Sequence, residues 1–558
     1  MEWLLPDQNN TPLVEWIYKT RGIDVNNKTF FNPQYNDLHS PLLLHDVEKV
    51  AEVLKEFIGT DKKIYIHGDF DVDGITATSI MWQFLYKDLK LNALPYIPSR
   101  FTEGYGLSED SIGKILEAGA ELIITVDCGV KDIEIVNKYR DKVKFIITDH
   151  HTLLSKNTNI DGSKVSGEYL IAKEALAVCH PKLGNYPFHE LCGAAVSWKV
   201  CAAVNQILGL GIDISKYLDL VSIGTVCDIM PLVDENRALV KLGLAQIKNT
   251  TNVGLKNLFK YLKVPLHEID SYHLGFIIGP RINATGRLED AMDAVRLLTT
   301  NNDSFARQMA FKLDSLNLER QQLTSRFIEI AEIQIKDQSD DKLYFVYGDD
   351  WPEGIIGLIA GKLTEKYYRP VIVGSIKDGK VKASARSIEA FNIANNLTNH
   401  STLLLTHGGH AQAAGLSLSH DKLEEFKTAI KGTAHSSLDG ISLLKKLKID
   451  AVANLNEINA ETYNKITQLS PFGMANKKPL IALLQVIPDK IKVFGKENNH
   501  IKLIFIVDGK ELEAIAFNKA QDYQNLDFSR PINIAASIEK NEWNGKVSIF
   551  LRIEDIKQ

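Results

Sequence analysis

Long apolar runs are missing from this sequence. No stretch of about 18 apolar residues occurs, which argues against a membrane-spanning helix. The opening residues, MEWLLPDQNN, have neither a basic n-region nor an apolar h-region, so a secretory signal is not expected. Cysteine is scarce, at five in 558 residues. An odd, scattered set suits a reducing cytoplasm better than a disulfide framework. A basic excess is missing too: 64 Lys and Arg face 70 Asp and Glu, for a net charge of −6. That excludes a globally basic nucleic-acid binder but leaves room for a local basic groove. Internal repeats and low-complexity tracts are also absent. What is there, 45% hydrophobic and 24% charged residues, is the composition of a soluble globular chain long enough for about three or four domains.

The stretch KKIYIHGDFDVDGITATS, Lys62 to Ser79, places Asp69, Asp71 and Asp73 on alternate residues before Gly74. This matches the opening of an EF-hand loop, but position 12 of such a loop would be Ile80, where a bidentate Glu is required. Ile64-Tyr65-Ile66 reads as a buried strand, and the apolar spacing after Gly74 reads as a helix. The aspartates therefore belong at the carboxyl end of a strand, where open α/β sheets bind ligands. Similar alternation continues to about Leu232, with ELIITVD and KFIITDHH as further parallel strands covered on both faces. Ser304 to Lys336 contains no Pro or Gly and predicts one long connecting helix. KLYFVYGDD, PVIVGSIKDGKVKASARS and HGGHAQAAGLSL predict a second α/β domain. PLIALLQVI, HIKLIFIVDG, ELEAIAFN, INIAASIEKN and KVSIFLRIED then predict five strands of a small barrel, for which the OB-fold is the natural candidate.

Four places now offer ligands, read as four acidic strand ends of one sheet: His67 with Asp69, Asp71 and Asp73; Asp127; the triplet Asp149-His150-His151; and Asp228 on a loop after an apolar run. Neighbouring strands lie about 4.8 Å apart, so their ends can converge. Carboxylates with imidazoles and no obligatory thiolate favour Mn²⁺ or Mg²⁺. A carboxylate bridging two such ions sets a spacing of about 3.5–4 Å, suited to displacement at phosphorus. Each aspartate alone also reads as an ordinary helix N-cap. Cys128 and Cys227 adjoin Asp127 and Asp228, and strand alternation turns them toward the core.

HGDFDVDG, VDCGV, TDHHT and GTVCDIMPL resemble, in order, the four motifs of the DHH phosphoesterase superfamily, and GGHAQAAGLSL resembles the glycine-rich motif of its DHHA1 domain. Pyrophosphatases and short-oligonucleotide nucleases share the first four motifs, so these alone do not choose a substrate. IPSRFTEGYGL, GPRINATGRLEDA, EGIIGLIAGKL and KASARS, with the barrel, are similar to the RecJ family of single-strand-specific exonucleases over nearly the whole chain. The resemblance implies an α/β fold with five parts: an N-terminal segment (1–45), a parallel-sheet DHH domain (46–300), a connecting helix (301–340), a second α/β DHHA1 domain (341–440) and an OB-fold domain (445–558). Some members carry a further C-terminal domain, which this chain is expected to lack.

The resemblance also implies a function: a cytoplasmic, monomeric 5′-to-3′ exonuclease that hydrolyses single-stranded DNA to 5′-mononucleotides in repair and recombination. It would use two divalent cations, Mn²⁺ or Mg²⁺, work beside single-strand-binding protein and a helicase, and have no membrane partner. One ion would be held by Asp71 and Asp127 with His67, and the other by Asp73, Asp127, His150 and Asp228. His151 would lie near the scissile phosphate, and Asp69 would orient a ligand. Arg100, Arg281, Ser384 and Arg386 would grip a 5′-phosphate, with Gly408, Gly409 and His410 offering close backbone approach. Lys362 to Arg386 forms a local basic stripe, and Lys477, Lys478, Phe494 and Trp543 of the barrel suit a flexible single strand. Two other readings compete: a phosphodiesterase acting on short oligonucleotides or cyclic dinucleotides, and a DNA-binding scaffold without catalysis.

Overall fold

The computed structural model describes residues 1–8, 11–155, 169–543 and 546–558. The chain begins with a short strand β1 (Glu2–Leu4) and helix α1 (Leu13–Thr20). The first large sheet follows, with β2 (Lys63–His67), helix α2 (Val72–Trp82), β3 (Asn92–Tyr96), β4 (Ala120–Val126), β5 (Lys144–Thr148) and β6 (Ala177–Cys179). Its order is β3-β2-β4-β5-β6 and every pairing is parallel. Leu122, Ile124 and Val126 enter one core while Ile123, between them, enters the core on the other face. This is why the strands read as continuous apolar runs. The chain leaves β2 toward β3 and returns to β4 on the opposite side of β2. The crevice at that reversal opens between the loops that carry Asp69 and Asp127. Helices α3 (Gly193–Ile207) and α4 (Leu218–Cys227) pack against α2. Beyond them lies α5 (Gly279–Leu288).

The expected connecting helix is α6 (Asp303–Lys336), 34 residues, capped by the Asn302 side chain accepting from Phe305 N–H at 3.1 Å. Ala306, Ala310 and Leu313 belong to the core of the first sheet domain, whereas Ala331 and Ile335 belong to that of the next. One rigid rod thus seats two domains. The second domain has β7 (Tyr344–Asp349), helix α7 (Glu353–Tyr367), β8 (Val371–Lys377), β9 (Lys380–Arg386), β10 (Thr406–His410) and β11 (Ala413–Ser419), in sheet order β10-β11-β9-β8-β7. Only β7 and β8 pair in parallel.

After β12 (Lys446–Lys448) the C-terminal sheet has seven strands: β13 (Ala451–Val452), β14 (Ile481–Val486), β15 (Lys490–Phe494), β16 (His500–Val507), β17 (Lys510–Ala516), β18 (Ile532–Trp543) and β19 (Lys546–Lys557). Their order is β13-β14-β18-β19-β17-β16-β15. All five expected runs are strands. The two extra ones sit at the ends of the sheet; β15, KIKVF, alternates Lys with Ile and Val but is a run of only five residues, mostly exposed, and the sequence reading passed over it. The N-terminus completes this domain: β1 pairs with β12, and Leu13, Ile17 and Tyr18 share a core with Leu469, Ile481 and Ile534. Each such aliphatic side chain, fully buried, contributes about 1.5–3 kcal/mol. Among the described residues, no helix is long and apolar enough to cross a membrane.

Candidate active site

The acids meet at the crevice. Asp71 caps α2, its Oδ1 accepting from the N–H groups of Asp73 at 2.9 Å and Gly74 at 3.2 Å. Asp73, two residues on in the first turn, is gripped from across the crevice by the N-terminus of α3, where Gly193 and Ala194 N–H donate to its carboxylate at 2.5 and 2.9 Å. Aligned backbone dipoles at that terminus favour the carboxylate there. Asp127 follows β4 with φ of 61°, left-handed backbone that a non-glycine residue adopts at a cost of about 1–3 kcal/mol. Its Oδ1 lies 3.1 Å from His150 Nε2, which is also 3.6 Å from Asp228 and 3.7 Å from Asp73. A Cβ on Gly193 would stand 2.5 Å from the Asp127 Cβ, so only glycine lets α3 close on this pocket.

Asp228 is not at a strand end. It is the residue after α4, where that helix finishes, so three ends of the sheet and one helix end supply the site. The strand reading failed because LDLVSIGTVC is mostly apolar and buried on nearly every side, Asp219, Ser222 and Thr225 included, so it lacks the polar face that marks a surface helix.

Three groups of potential ligand atoms lie within 4.8 Å of one another: Asp69, Asp71 and Asp127; Asp73, His150 and Asp228; Asp127, His150 and His151. His67 belongs to none of these. It is buried, stacked on Tyr96 with ring centroids 5.5 Å apart, and Cys128 Sγ lies 3.6 Å from its Nδ1. Asp69 instead joins the first group directly. Cys128 is buried and burial raises its thiol, so it offers no thiolate; Cys227 donates to the Leu274 carbonyl at 3.4 Å.

These residues fit hard divalent cations. Burial first, then neighbouring carboxylates, raises Asp69, Asp71 and Asp127, and takes Asp228 to about 9. Buried Asp69 Oδ1 and His67 Nε2 have no hydrogen-bond partner among the described residues. A concentrated, underneutralised oxygen set with imidazole is the donor chemistry of Mn²⁺ and Mg²⁺. His150 is lowered, chiefly by burial, and so is available as a neutral ligand.

Asp149, offered as a ligand with His150 and His151 but assigned to neither ion, organises the imidazoles. It is buried and accepts from the N–H groups of Val130, His150 and His151, and its Oδ1 lies 2.8 Å from His151 Nδ1. Burial opposes its charge, but the His151 hydrogen bond and both imidazoles outweigh that and lower it. In return, Asp149 holds His151 raised against the downward pull of burial. Tyr105 Oη touches the same ring at 3.1 Å. Both residues stood in quoted motifs, TDHHT and IPSRFTEGYGL, but nothing in the linear order showed that they meet.

Beside the acids stand the arginines. Arg100 lies over the Phe70 ring at 3.9 Å and donates to the Gly286 carbonyl at 3.2 Å. Burial lowers it, while the charges of Asp69 and Asp71 act in the opposite sense. Arg287, missed from the sequence, donates to Gly354 O at 3.1 Å and is lowered to about 10 by burial and then by the charges of Arg100, Arg320 and Arg386. It joins the first domain to α7, and its only early signal was a second Arg in GPRINATGRLEDA. Arg281 pairs with Asp314 of α6 at 2.8 Å, and Arg386 reaches Ser384 Oγ at 3.2 Å.

Gly408, Gly415 and Ser384 occupy one row across three strands, and His410, Ala413 and Arg386 the next. A shallow face of glycine and alanine therefore runs from Arg386 to exposed β10, with open space over Gly408 and Gly415. Gly409, at φ of 147°, packs against Ala413 and Ala414, where no side chain fits. The basic stripe is less free than its composition implies: Lys366 pairs with Glu332, Lys382 with Glu353, and Arg369 donates to Leu443 O. In the C-terminal domain Lys478 pairs with Glu539, Lys477 has no ion-pair partner among the described residues, and Phe494 packs on His500. The side chain of Trp543 lies outside the described residues.

A parallel sheet whose carboxyl ends gather aspartates and a DHH triplet, followed by a mixed sheet with a glycine-rich edge, defines a DHH phosphoesterase. The chain matches the DHH family, N-terminal domain over 63–225 and the DHHA1 domain over 340–436. It also matches the RecJ OB domain over 449–555. It is 33% identical to the single-stranded-DNA-specific exonuclease RecJ of Bacillus subtilis over 98% of its own length and 68% of that protein, and 31% identical to RecJ of Haemophilus influenzae over 98% and 96%. The crystal structure of RecJ in complex with Mn²⁺ from Thermus thermophilus superposes with a TM-score of 0.82 at 26% identity, covering 100% of this chain and 79% of that one. The chain belongs to the RecJ family.

Proposed function

We propose that the protein is a single-strand-specific DNA exonuclease that works from the 5′ end and releases 5′-mononucleotides, in repair and recombination. Its five cysteines, all free thiols, suit a reducing cytoplasm. Single-strand-binding protein and a helicase are its expected neighbours. The observation that carries the reading is the adjacency of two opposite charge sets, with Asp69 and Asp71 acting electrostatically on Arg100.

Asp71 and Asp127 would hold one divalent cation, with the unpaired Asp69 Oδ1 and His67 Nε2 as further donors. Asp73, Asp127, His150 and Asp228 would hold the second, leaving Asp127 between them. When bound, Mn²⁺ or Mg²⁺ supplies a hydroxide nucleophile at neutral pH and stabilises charge on the phosphoryl oxygens. The chain's own groups do the rest. Asp149 fixes the ring of His151 and favours its cation, which places a proton donor at the scissile phosphate. Arg287 and Arg386, short of carboxylate partners, bind phosphate oxygens; Arg281 and Ser384 complete a clamp on the terminal 5′-phosphate. The Gly408–His410 edge and the C-terminal domain guide the rest of the strand.

The test uses 5′-labelled and 3′-labelled single strands with Mn²⁺, Mg²⁺ or EDTA. Immediate release of 5′ label as mononucleotide, with 3′ label retained in a shortening ladder, is expected. Attack from the 3′ end would leave only a phosphoesterase centre. Hydrolysis confined to di- and trinucleotides would favour the short-oligonucleotide enzyme, and binding without hydrolysis would favour the scaffold.

A further inference from the structure

The last turn of α4, which ends at Asp228, packs on a π-helical turn, His273–Ile278, whose Leu274 and Ile278 are buried. The other side of this turn is bare. Tyr272 and Phe276 stack on one another, with ring centroids 5.0 Å apart and planes at 24°, yet 55% and 70% of their surfaces are exposed. Single-turn π-bulges inside helices concentrate at functional sites. Ile229, directly after Asp228, is 62% exposed and held at φ of 58°, left-handed backbone that a β-branched residue adopts only under constraint. Arg281 succeeds Phe276 at about one turn along the same continuous helical segment, so Tyr272, Phe276 and the clamp arginine follow one stripe.

The far end of the stripe meets the C-terminal domain. Ser271 Oγ donates to Phe472 O at 2.6 Å, and Leu232 N–H to Met474 O at 2.8 Å. The bare aromatics therefore lie between the helix that delivers Asp228 and the domain expected to receive the strand. An exposed stacked pair in that position has no packing role within the chain. Flat aromatic faces are what a single strand stacks its bases on, without regard to sequence.

We propose that Tyr272 and Phe276, with Ile229 beside the metal centre, form a stacking ledge for the bases of the strand 3′ of the scissile phosphate. This rests on the single-strand reading above. The ledge holds bases while the arginines hold phosphates, so binding depends on the bases even though cleavage is sequence-independent.

The test is equilibrium binding of a long 5′-phosphorylated single strand in EDTA, by fluorescence anisotropy, for the unmodified protein and for the Tyr272→Ala/Phe276→Ala double variant. The variant should bind roughly tenfold more weakly or worse, given what base–aromatic stacking contributes. Its melting temperature should be unchanged, since both side chains are exposed. Replacing nucleotides near the 5′ end by abasic residues should weaken the unmodified protein by a similar factor and the variant hardly further. Phe276→Trp with Tyr272 intact, which keeps a flat aromatic face, should bind as tightly as the unmodified protein. Equal affinity of variant and unmodified protein, with 5′ digestion intact, overturns the ledge alone. So does a concentration-dependent dimer in sedimentation that the double variant abolishes while strand affinity stays constant, since the ledge then serves self-association. Failure of the unmodified protein to bind or digest any single strand overturns the exonuclease reading instead.

Discussion

The acidic pocket and the arginine set beside it are both crowds of like charge, and the fold holds them in different ways. The aspartates are placed by backbone: a helix cap for Asp71, the N-terminus of α3 for Asp73, a left-handed turn for Asp127. Their mutual repulsion is left standing, and three of the acids that would hold metal are raised by it as well as by burial. The arginines are long, and each is steadied by a ring or a carbonyl: Phe70 and Gly286 for Arg100, Gly354 for Arg287, Ala385 for Arg386. They stay charged at neutral pH, because even Arg287 is lowered only to about 10. One crowd suits a point charge and the other the oxygens of a phosphate. The metal centre is therefore a matter of local backbone geometry, and the phosphate site a matter of how three elements are docked.

The largest test of that contrast is Asp127→Ala. It should remove a donor between both cations and reduce hydrolysis on the order of 10³-fold or more, since the Lewis-acid contribution is several kcal/mol. The fold should survive, with a melting temperature near or above that of the unmodified protein in EDTA, because one repelling carboxylate is gone. Near-normal turnover with unchanged metal dependence would dissolve the acid side of the comparison.

Acidity offers the second test. Asp71, Asp127 and Asp228 are raised in the folded state, so without metal they contribute stability that is present at low pH and lost as pH climbs from about 4 toward the folded value, about 9 for Asp228. Metal-free protein should melt lower at pH 8.5 than at pH 6. Mn²⁺ should raise the melting temperature more at pH 8.5, where protons no longer compete for the carboxylates. A metal increment independent of pH would mean that the repulsion is already relieved by other groups.

Arg386→Ala sharpens the other side. Loss of a charge-assisted hydrogen bond, about 1.5–3 kcal/mol, should lower activity on 5′-phosphorylated strands roughly 10- to 100-fold and on hydroxyl-ended strands much less. The metal requirement should not move. An equal loss on both substrates would make this arginine a general backbone contact. The smallest effect should come from Cys128→Ser, which sits behind the pocket against His67. It should cost about 1 kcal/mol of stability, read by thermal melt, and less in turnover.

The strand ends were legible because parallel strands buried on both faces are short apolar runs, and the polar residue that ends each run marks the loop. HGDFDVDG, VDCGV and TDHHT all follow this grammar. Asp228 broke it, since α4 is buried on nearly every side and presents no solvent-facing polar stripe. Asp149 was read as a possible ligand at the head of the DHH triplet, because an aspartate that accepts four hydrogen bonds is indistinguishable in sequence from one that binds metal. The five barrel strands could be read from alternation, but short, exposed β15 was passed over, and the docking of Leu13, Ile17 and Phe31 onto the C-terminal core could not be read at all.

By itself the sequence determined the order of the domains, the chemistry of the metal donors and the length of α6, because each depends on neighbours within one turn or one strand. Only the tertiary structure decided which potential donors lie within reach of one another, that Asp69 joins Asp71 and Asp127 while the His67 ring stacks on Tyr96, and that Arg287 joins Arg100 and Arg386. Those groupings are set where α3 closes on Asp73 and where α6 seats one domain against the next. Electrostatic energy depends on distance through space, and residues 73 and 193, or 287 and 386, become neighbours only once the cores on either side have packed.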